Sequence, residues 1–131
     1  MSELGSIHTT EQIQIVVEPQ YLPEESQPVD SFWVFTYEVV VTNMGSKTVQ
    51  LLSRHWVITD ANGKQEHVRG PGVVGKTPIL RQGESFSYTS FCPLPTQMGT
   101  MHGTYQFRRE DGDVFDATIA PFVLSTSDSL N

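Results

Sequence analysis

The sequence has little cysteine, little positive charge and no long apolar run. Its single cysteine, Cys92, excludes an internal disulfide and makes a secreted, disulfide-stapled scaffold a poor interpretation. Residues 1–10 carry neither a basic start nor an apolar stretch of signal-peptide length, and no apolar run is long enough to cross a bilayer. We therefore expect a cytoplasmic protein that does not bind membranes.

Lysine and arginine number 8 against 15 aspartates and glutamates, which gives a net charge of -7 at pH 7. Because binding to nucleic acid phosphates depends on Lys and Arg, we expect no nucleic-acid partner. Residues 1–30 hold six acids and no Lys or Arg. Residues 54–81 instead hold five bases and two acids, so an anionic ligand fits best there, although solvated surface charge also explains this stretch. The five bases are Arg54, Lys64, Arg69, Lys76 and Arg81.

No segment has the 3.6-residue period of an amphipathic helix, and short alternating runs separated by turn residues take its place. These runs predict about seven antiparallel strands, at residues 13–17, 33–42, 49–59, 64–69, 85–91, 101–109 and 114–124. Pro19 and Pro93 are expected to end two of them, and residues 70–83 are expected to form a loop. Strands at this spacing predict a single domain over residues 1–124, a two-sheet Greek-key sandwich, followed by a polar tail at 125–131.

The predicted core consists of large apolar and aromatic residues at inward positions of these strands. Tyr105, in the Gly103-Thr104-Tyr105 run, is expected to have a corner role with its hydroxyl bonded to the backbone. The expected core members are Phe35, Tyr37, Val39, Val41, Leu51, Trp56, Ile58, Phe86, Tyr88, Tyr105, Phe107, Ile119 and Phe122.

The string most suggestive of function is residues 69–77, Arg-Gly-Pro-Gly-Val-Val-Gly-Lys-Thr. Gly70, Gly72 and Gly75 match the dinucleotide-binding pattern G-x-G-x-x-G, and residues 70–77 match the phosphate-loop pattern G-x-x-x-x-G-K-[ST]. Both patterns need a buried strand before them and a helix after them, because the helix N-terminus holds the phosphates. Here the preceding run is polar and Pro78 follows with no helical period, so we expect neither enzyme class.

A glycine-rich turn is nevertheless able to bind an anion through successive backbone N–H groups in any fold. Two interpretations therefore stay open, a purely structural connection and an anion or nucleotide site. The residues of that site would be Arg69, Gly70, Gly72, Gly75, Lys76 and Arg81.

Other candidate chemistry is sparse. None of the four histidines has a recognised metal-ligand spacing, although His55 and His67 flank one hairpin and are able to approach each other near Asp60 or Glu66. Cys92 has no neighbouring base that would activate it. We expect no catalytic residue, no bound metal and no cofactor.

Five stretches resemble the ApaG family, namely residues 51–60, 68–75, 78–84, 88–90 and 101–105, and the resemblance covers roughly residues 9–124. It implies a fibronectin type III-like, or immunoglobulin-like, β-sandwich. In bacteria such genes typically lie beside one for a diadenosine tetraphosphate hydrolase, and links to cobalt and magnesium tolerance have been suggested. In eukaryotes similar domains are expected to bind proteins. The sequence departs from the family pattern at Pro71 and Lys76.

The residues and the resemblance together predict a non-catalytic binding or regulatory module, acting through contact with a protein partner. Exposed edge strands would also allow a homodimer. The alternative is nucleotide or pyrophosphate binding at the glycine loop, linked to diadenosine tetraphosphate metabolism or to cobalt and magnesium homeostasis.

Overall fold

A computed structural model describes residues 2–126, in which the strands form two antiparallel sheets packed as a sandwich. One sheet has the order β1-β2-β3-β7, and the other has the order β5-β4-β8-β9 with β6 also paired to β4. Two three-residue 3₁₀ turns, Pro23–Glu25 and Pro28–Asp30, join β2 to β3. The strands are β1 Ser6–Thr10, β2 Ile13–Tyr21, β3 Trp33–Asn43, β4 Val49–Asp60, β5 Gln65–Pro71, β6 Ile79–Leu80, β7 Ser85–Leu94, β8 Met98–Arg109 and β9 Val114–Ser125.

The predicted all-β sandwich is confirmed, with two strands more than the sequence predicted. β1 is polar and mostly exposed, and it is ordered by pairing with β2 rather than by its own side chains. β6 lies inside residues 70–83, which were wrongly predicted to be loop throughout, and it pairs with Val49 and Gln50 of β4. Among residues 2–126 no helix has the length and apolar character required to cross a membrane. Residues 127–131 of the predicted tail lie outside the described residues.

Pro19 and Pro93 lie inside strands, so the prediction that they end them is wrong. β1 pairs with β2 only as far as Val17, so Pro19 has a neighbouring strand, β3, on one side only. Its missing N–H therefore interrupts no hydrogen bonds between two flanking strands. β7 is an edge strand, which tolerates Pro93 for the same reason.

All but three of the predicted core residues are buried. The exceptions are Ile58, Phe86 and Tyr88, which are half-buried and pack against the core from its margin. Phe86 and Tyr88 lie on the edge strand β7, whose inward face has a neighbouring strand on one side only. An inward direction therefore did not ensure full burial.

The sandwich is closed on one side and open on the other. On the closed side the Ser6 hydroxyl donates to the Ala120 carbonyl at 2.8 Å, and the Val123 N–H donates to the Leu4 carbonyl at 2.8 Å. On the opposite side β5 and β7 are the outer strands of their sheets, and each pairs with one strand among the described residues. Both free edges therefore lie on the same side of the molecule.

Tyr105 is fully buried, but its hydroxyl does not bond to the backbone as predicted. It forms a hydrogen bond with the hydroxyl of Tyr88, which lies on the other sheet. Burial is the main cause that raises the pKa of both tyrosines, so the pair stays protonated at physiological pH. The corner role is thus replaced by a polar contact between the two sheets.

Asn43 is a buried polar residue at the end of β3, with 1% of its surface exposed. Its side-chain amide donates to the carbonyls of Lys47 at 2.8 Å and Leu80 at 3.0 Å. Its side-chain oxygen accepts from the Gly45 N–H at 2.9 Å. Asn43 therefore holds the turn after β3 and ties that turn to β6.

Replacing this side chain tests its role. Asn43→Ala leaves buried partners of the amide unsatisfied, and we expect it to lower the free energy of unfolding by about 2–4 kcal/mol. Asn62→Ala, in an exposed turn, is the matched control, and we expect a change below about 0.5 kcal/mol. Urea unfolding followed by tryptophan fluorescence measures both, and equal losses would contradict the assignment.

Candidate functional site

The glycine loop folds as a tight hairpin. After β5 ends at Pro71, the Gly72 N–H donates to the Leu52 carbonyl at 2.8 Å. Val73, which is fully buried, exchanges two hydrogen bonds of 2.8 and 2.9 Å with Lys76. The two residues between them have φ of 44° and 78°, the positive values that a type I′ turn requires. The loop is therefore a self-contained turn anchored in the core by Val73.

Two glycines of the G-x-G-x-x-G match have backbone conformations that favour glycine, and the third lies against Arg54. Gly72 has φ of 60°, and a Cβ there would lie 2.3 Å from the Lys76 carbonyl oxygen. Gly75 has φ of 78° within the turn. A Cβ on Gly70 would lie 2.9 and 3.0 Å from the terminal guanidinium nitrogens of Arg54. Gly72 and Gly75 are thus explained by folding without any phosphate, whereas Gly70 leaves room for the flexible end of Arg54.

Arg54 is the cation that faces this loop, and it binds carbonyl oxygens. Its Nη1 donates to the carbonyls of Pro71 at 2.9 Å and Gly72 at 3.0 Å. Because Gly70 has no side chain, the guanidinium lies directly against the backbone of β5. Arg54 therefore stabilises the start of the loop, a role that sequence reasoning missed.

The structure places five of the six predicted anion-site residues in the loop or on the strand that leads into it. Gly72, Gly75 and Lys76 belong to the loop, and Arg69 and Gly70 are neighbours on β5 that line one depression of the larger sheet. Arg81 instead follows β6, where its N–H donates to the Glu84 carboxylate at 2.7 Å and its guanidinium forms an ion pair with that carboxylate at 3.9 Å.

Several of the loop N–H groups that would contact an anion are already occupied. Those of Gly72, Val73 and Lys76 already donate to backbone carbonyls. These hydrogen bonds favour the structural interpretation of the loop, and the anion site stays a prediction.

His55 and His67 do approach each other, as the sequence predicted. Their ring nitrogens Nε2 and Nδ1 are 2.9 Å apart, on the outer face of the larger sheet. Partial desolvation, followed by the nearby charges of Arg69, His67 and His102, lowers the pKa of His55. Glu66 pairs with Ile58 and lies on the opposite face. Residues 2–126 contain no group of three His, Cys, Asp or Glu side chains able to hold a metal ion.

Cys92 is a buried thiol on the inner face of β7. Burial, with a smaller contribution from the charge of Glu66, raises the pKa of Cys92 to about 12. Since the thiolate is the reactive form, this side chain is inert at physiological pH.

An apolar groove lies on the outer face of the smaller sheet, and sequence reasoning did not identify it. Its volume is about 700 Å³. Phe91 is 62% exposed and Phe32 is 43% exposed, and both line it. The sequence signal for the groove was Phe91, an aromatic residue that follows Ser87 and Thr89 among the outward-facing positions of β7. The lining residues are Leu22, Glu24, Glu25, Phe32, Val34, Thr36, Phe91 and Pro93.

Hydrogen bonds hold one wall of this groove in place. The Ser26 hydroxyl donates to the Leu22 carbonyl at 2.9 Å and accepts from the Val34 N–H at 2.8 Å. The Gln27 N–H donates to the Phe32 carbonyl at 2.7 Å. These hydrogen bonds fix the segment between β2 and β3 to the sheet, and residues of that segment line the groove.

Comparison with known proteins gives concordant results. An ApaG domain family model matches residues 23–109. Protein ApaG of Paramagnetospirillum magneticum is 52% identical over 118 residues, covering 90% of this chain and 91% of that protein. Protein ApaG of Anaeromyxobacter dehalogenans is 52% identical over 126 residues, covering 96% and 99%. A crystal structure of a Bordetella pertussis protein called ApaA superposes with a TM-score of 0.86 at 43% identity, covering 98% of this chain and 100% of that one.

Two alanine variants test the structural account of the glycines. Gly75→Ala meets no nearby atom and places a side chain at positive φ, so we expect a loss of about 1–2 kcal/mol. Gly72→Ala adds a clash with the Lys76 carbonyl, so we expect a loss of about 2–5 kcal/mol. Urea unfolding measures both, and a larger loss for Gly75→Ala would contradict the hairpin described above.

Titration with ATP and with pyrophosphate tests the anion site. Because the N–H groups of Gly72 and Lys76 are already bonded, we expect their amide resonances to stay in place at millimolar ligand. Sodium chloride at equal ionic strength is the control for general salt effects. Saturable shifts confined to Gly70, Gly72, Gly75 and Lys76 would establish the anion site instead.

Proposed function

The chain belongs to the ApaG domain family, and on that premise we propose that it is a non-catalytic module that binds a protein partner at the apolar groove. The observation that carries the proposal is the pair of exposed aromatic residues, Phe32 and Phe91, that line the groove together with the apolar residues Leu22, Val34 and Pro93. Contiguous exposed apolar surface of this kind is typical of partner-binding sites.

The dimensions and lining of the groove support this role. Four other surface depressions have volumes of about 240–300 Å³, against about 700 Å³ here. Val34 forms part of the floor and is nearly buried although it lies on the outer face of β3. An apolar side chain entering the groove would contact these apolar residues and lose part of its contact with water, which favours association.

The state of four buried side chains of nucleophilic type supports a role other than catalysis. Burial raises the pKa of the Cys92 thiol and of the hydroxyls of Tyr37, Tyr88 and Tyr105. These groups are therefore protonated at physiological pH, whereas nucleophilic catalysis needs an activated group. A binding role makes no such demand.

Affinity capture with surface variants tests the proposal. We expect the wild-type protein, immobilised and exposed to a lysate of its source cells, to retain a reproducible protein that Phe91→Lys loses at least tenfold. Val114→Lys is the matched control, because Val114 is an exposed apolar residue at the start of β9, and we expect it to retain the partner. Equal capture by wild-type and Phe91→Lys, or turnover of a nucleotide by the purified protein, would contradict the proposal.

A further inference from the structure

The rim of the apolar groove is acidic and lacks a counter-charge. Glu24 and Glu25 line it, and both are exposed. Neither forms an ion pair among residues 2–126. No lysine or arginine precedes Lys47 in the chain, and none lines the groove. The carboxylates beside the exposed aromatic rings are therefore free to meet positive charge from a partner.

The aromatic rings add a second attraction for cations. A guanidinium or ammonium group is attracted to the face of an aromatic ring, and arginine forms this contact most often. Arg109 already does so elsewhere in the molecule, with its Cζ 4.1 Å from the ring centroid of Phe115. Phe32 and Phe91 are exposed and have no basic residue in the groove that lies against them. Both features of the groove thus favour a positively charged occupant.

We propose that the occupant of the groove is a segment of a partner protein in which one large apolar side chain is flanked by arginine or lysine. The apolar side chain enters between Phe32 and Phe91, and the flanking cations lie at the rim beside Glu24 and Glu25. This inference rests on the proposed protein-binding function and names the chemistry of the partner.

The same charges disfavour other occupants. A second copy of this chain carries a net charge of -7, so two copies repel each other at this acidic face. An anionic lipid surface or a nucleic acid meets the same repulsion from Glu24 and Glu25. A segment that carries both basic and apolar side chains complements the apolar lining of the groove and its acidic rim.

Three synthetic peptides separate the two requirements. They are SRSFSRS, which has the proposed chemistry, SESFSES, which reverses the charges, and SRSASRS, which lacks the apolar side chain. Titration into the isotopically labelled protein is followed through its amide resonances. We expect SRSFSRS to shift the amides of Phe32, Val34 and Phe91 saturably, and the other two peptides to bind at least tenfold more weakly. We also expect the affinity for SRSFSRS to fall as salt is added.

A charge-exchange variant tests the rim directly. We expect Glu24→Lys together with Glu25→Lys to lower the affinity for SRSFSRS at least tenfold and to raise the affinity for SESFSES. Glu3→Lys together with Asp116→Lys changes the net charge equally at exposed positions outside the groove, and we expect it to leave both affinities within twofold.

Several results would overturn the inference. These are equal affinity for SRSFSRS and SESFSES, shifts by SRSFSRS that lie outside the groove, or no saturable binding of SRSFSRS. A dimer in analytical ultracentrifugation that Phe91→Lys dissociates would assign the groove to a second copy and overturn it as well. The capture experiment with Phe91→Lys decides the proposed function independently, because it makes no assumption about the charge of the partner.

Discussion

The fold depends on the contact of Trp56 with aromatic rings from both sheets. Its ring centroid lies 5.3 Å from that of Tyr37 on the smaller sheet. On the larger sheet it lies 5.9 Å from Phe122 and 6.1 Å from Tyr105, and all three contacts are edge-on. Because side chains alternate along a strand, a shift of one residue in the register of any of these four strands would turn its own ring toward solvent and break these contacts. The inward direction of these rings therefore determines which residues face outward, including Val34 in the groove.

The loop between β5 and β6 illustrates how a folding requirement produces a motif. The hairpin favours glycine at Gly75, where φ is positive, and at Gly72, where φ is positive and the backbone approaches Lys76, while Gly70 leaves room for the Arg54 guanidinium. Their spacing happens to match two phosphate-binding patterns. Those patterns owe their chemistry to N–H groups that point at a ligand, whereas here Gly72 and Lys76 direct theirs to carbonyl oxygens. Residue types alone do not distinguish the two cases.

What the sequence predicted correctly was governed by short-range patterns. Alternation along residues 33–42 and the turn chemistry of residues 60–63 depend on neighbours in the chain, so these strands and hairpins could be recognised. β1 and β6 depend on partners far away in sequence, and their own residues carry a weak signal. The groove escaped notice for the same reason, since its lining residues come from β3, from β7 and from the connection between β2 and β3.

The free edges of β5 and β7 have a consequence for the behaviour of the protein in concentrated solution. Unpaired strand edges beside an exposed aromatic residue such as Phe91 are templates for intermolecular sheet growth. At neutral pH the net charge of -7 keeps molecules apart, and Pro93 removes one N–H donor from the exposed end of β7. Near the isoelectric point of about 4.9 the repulsion vanishes. The net negative charge therefore keeps the protein from associating through its free strand edges at neutral pH. In acid this repulsion is lost while the free edges remain, and we expect association to increase.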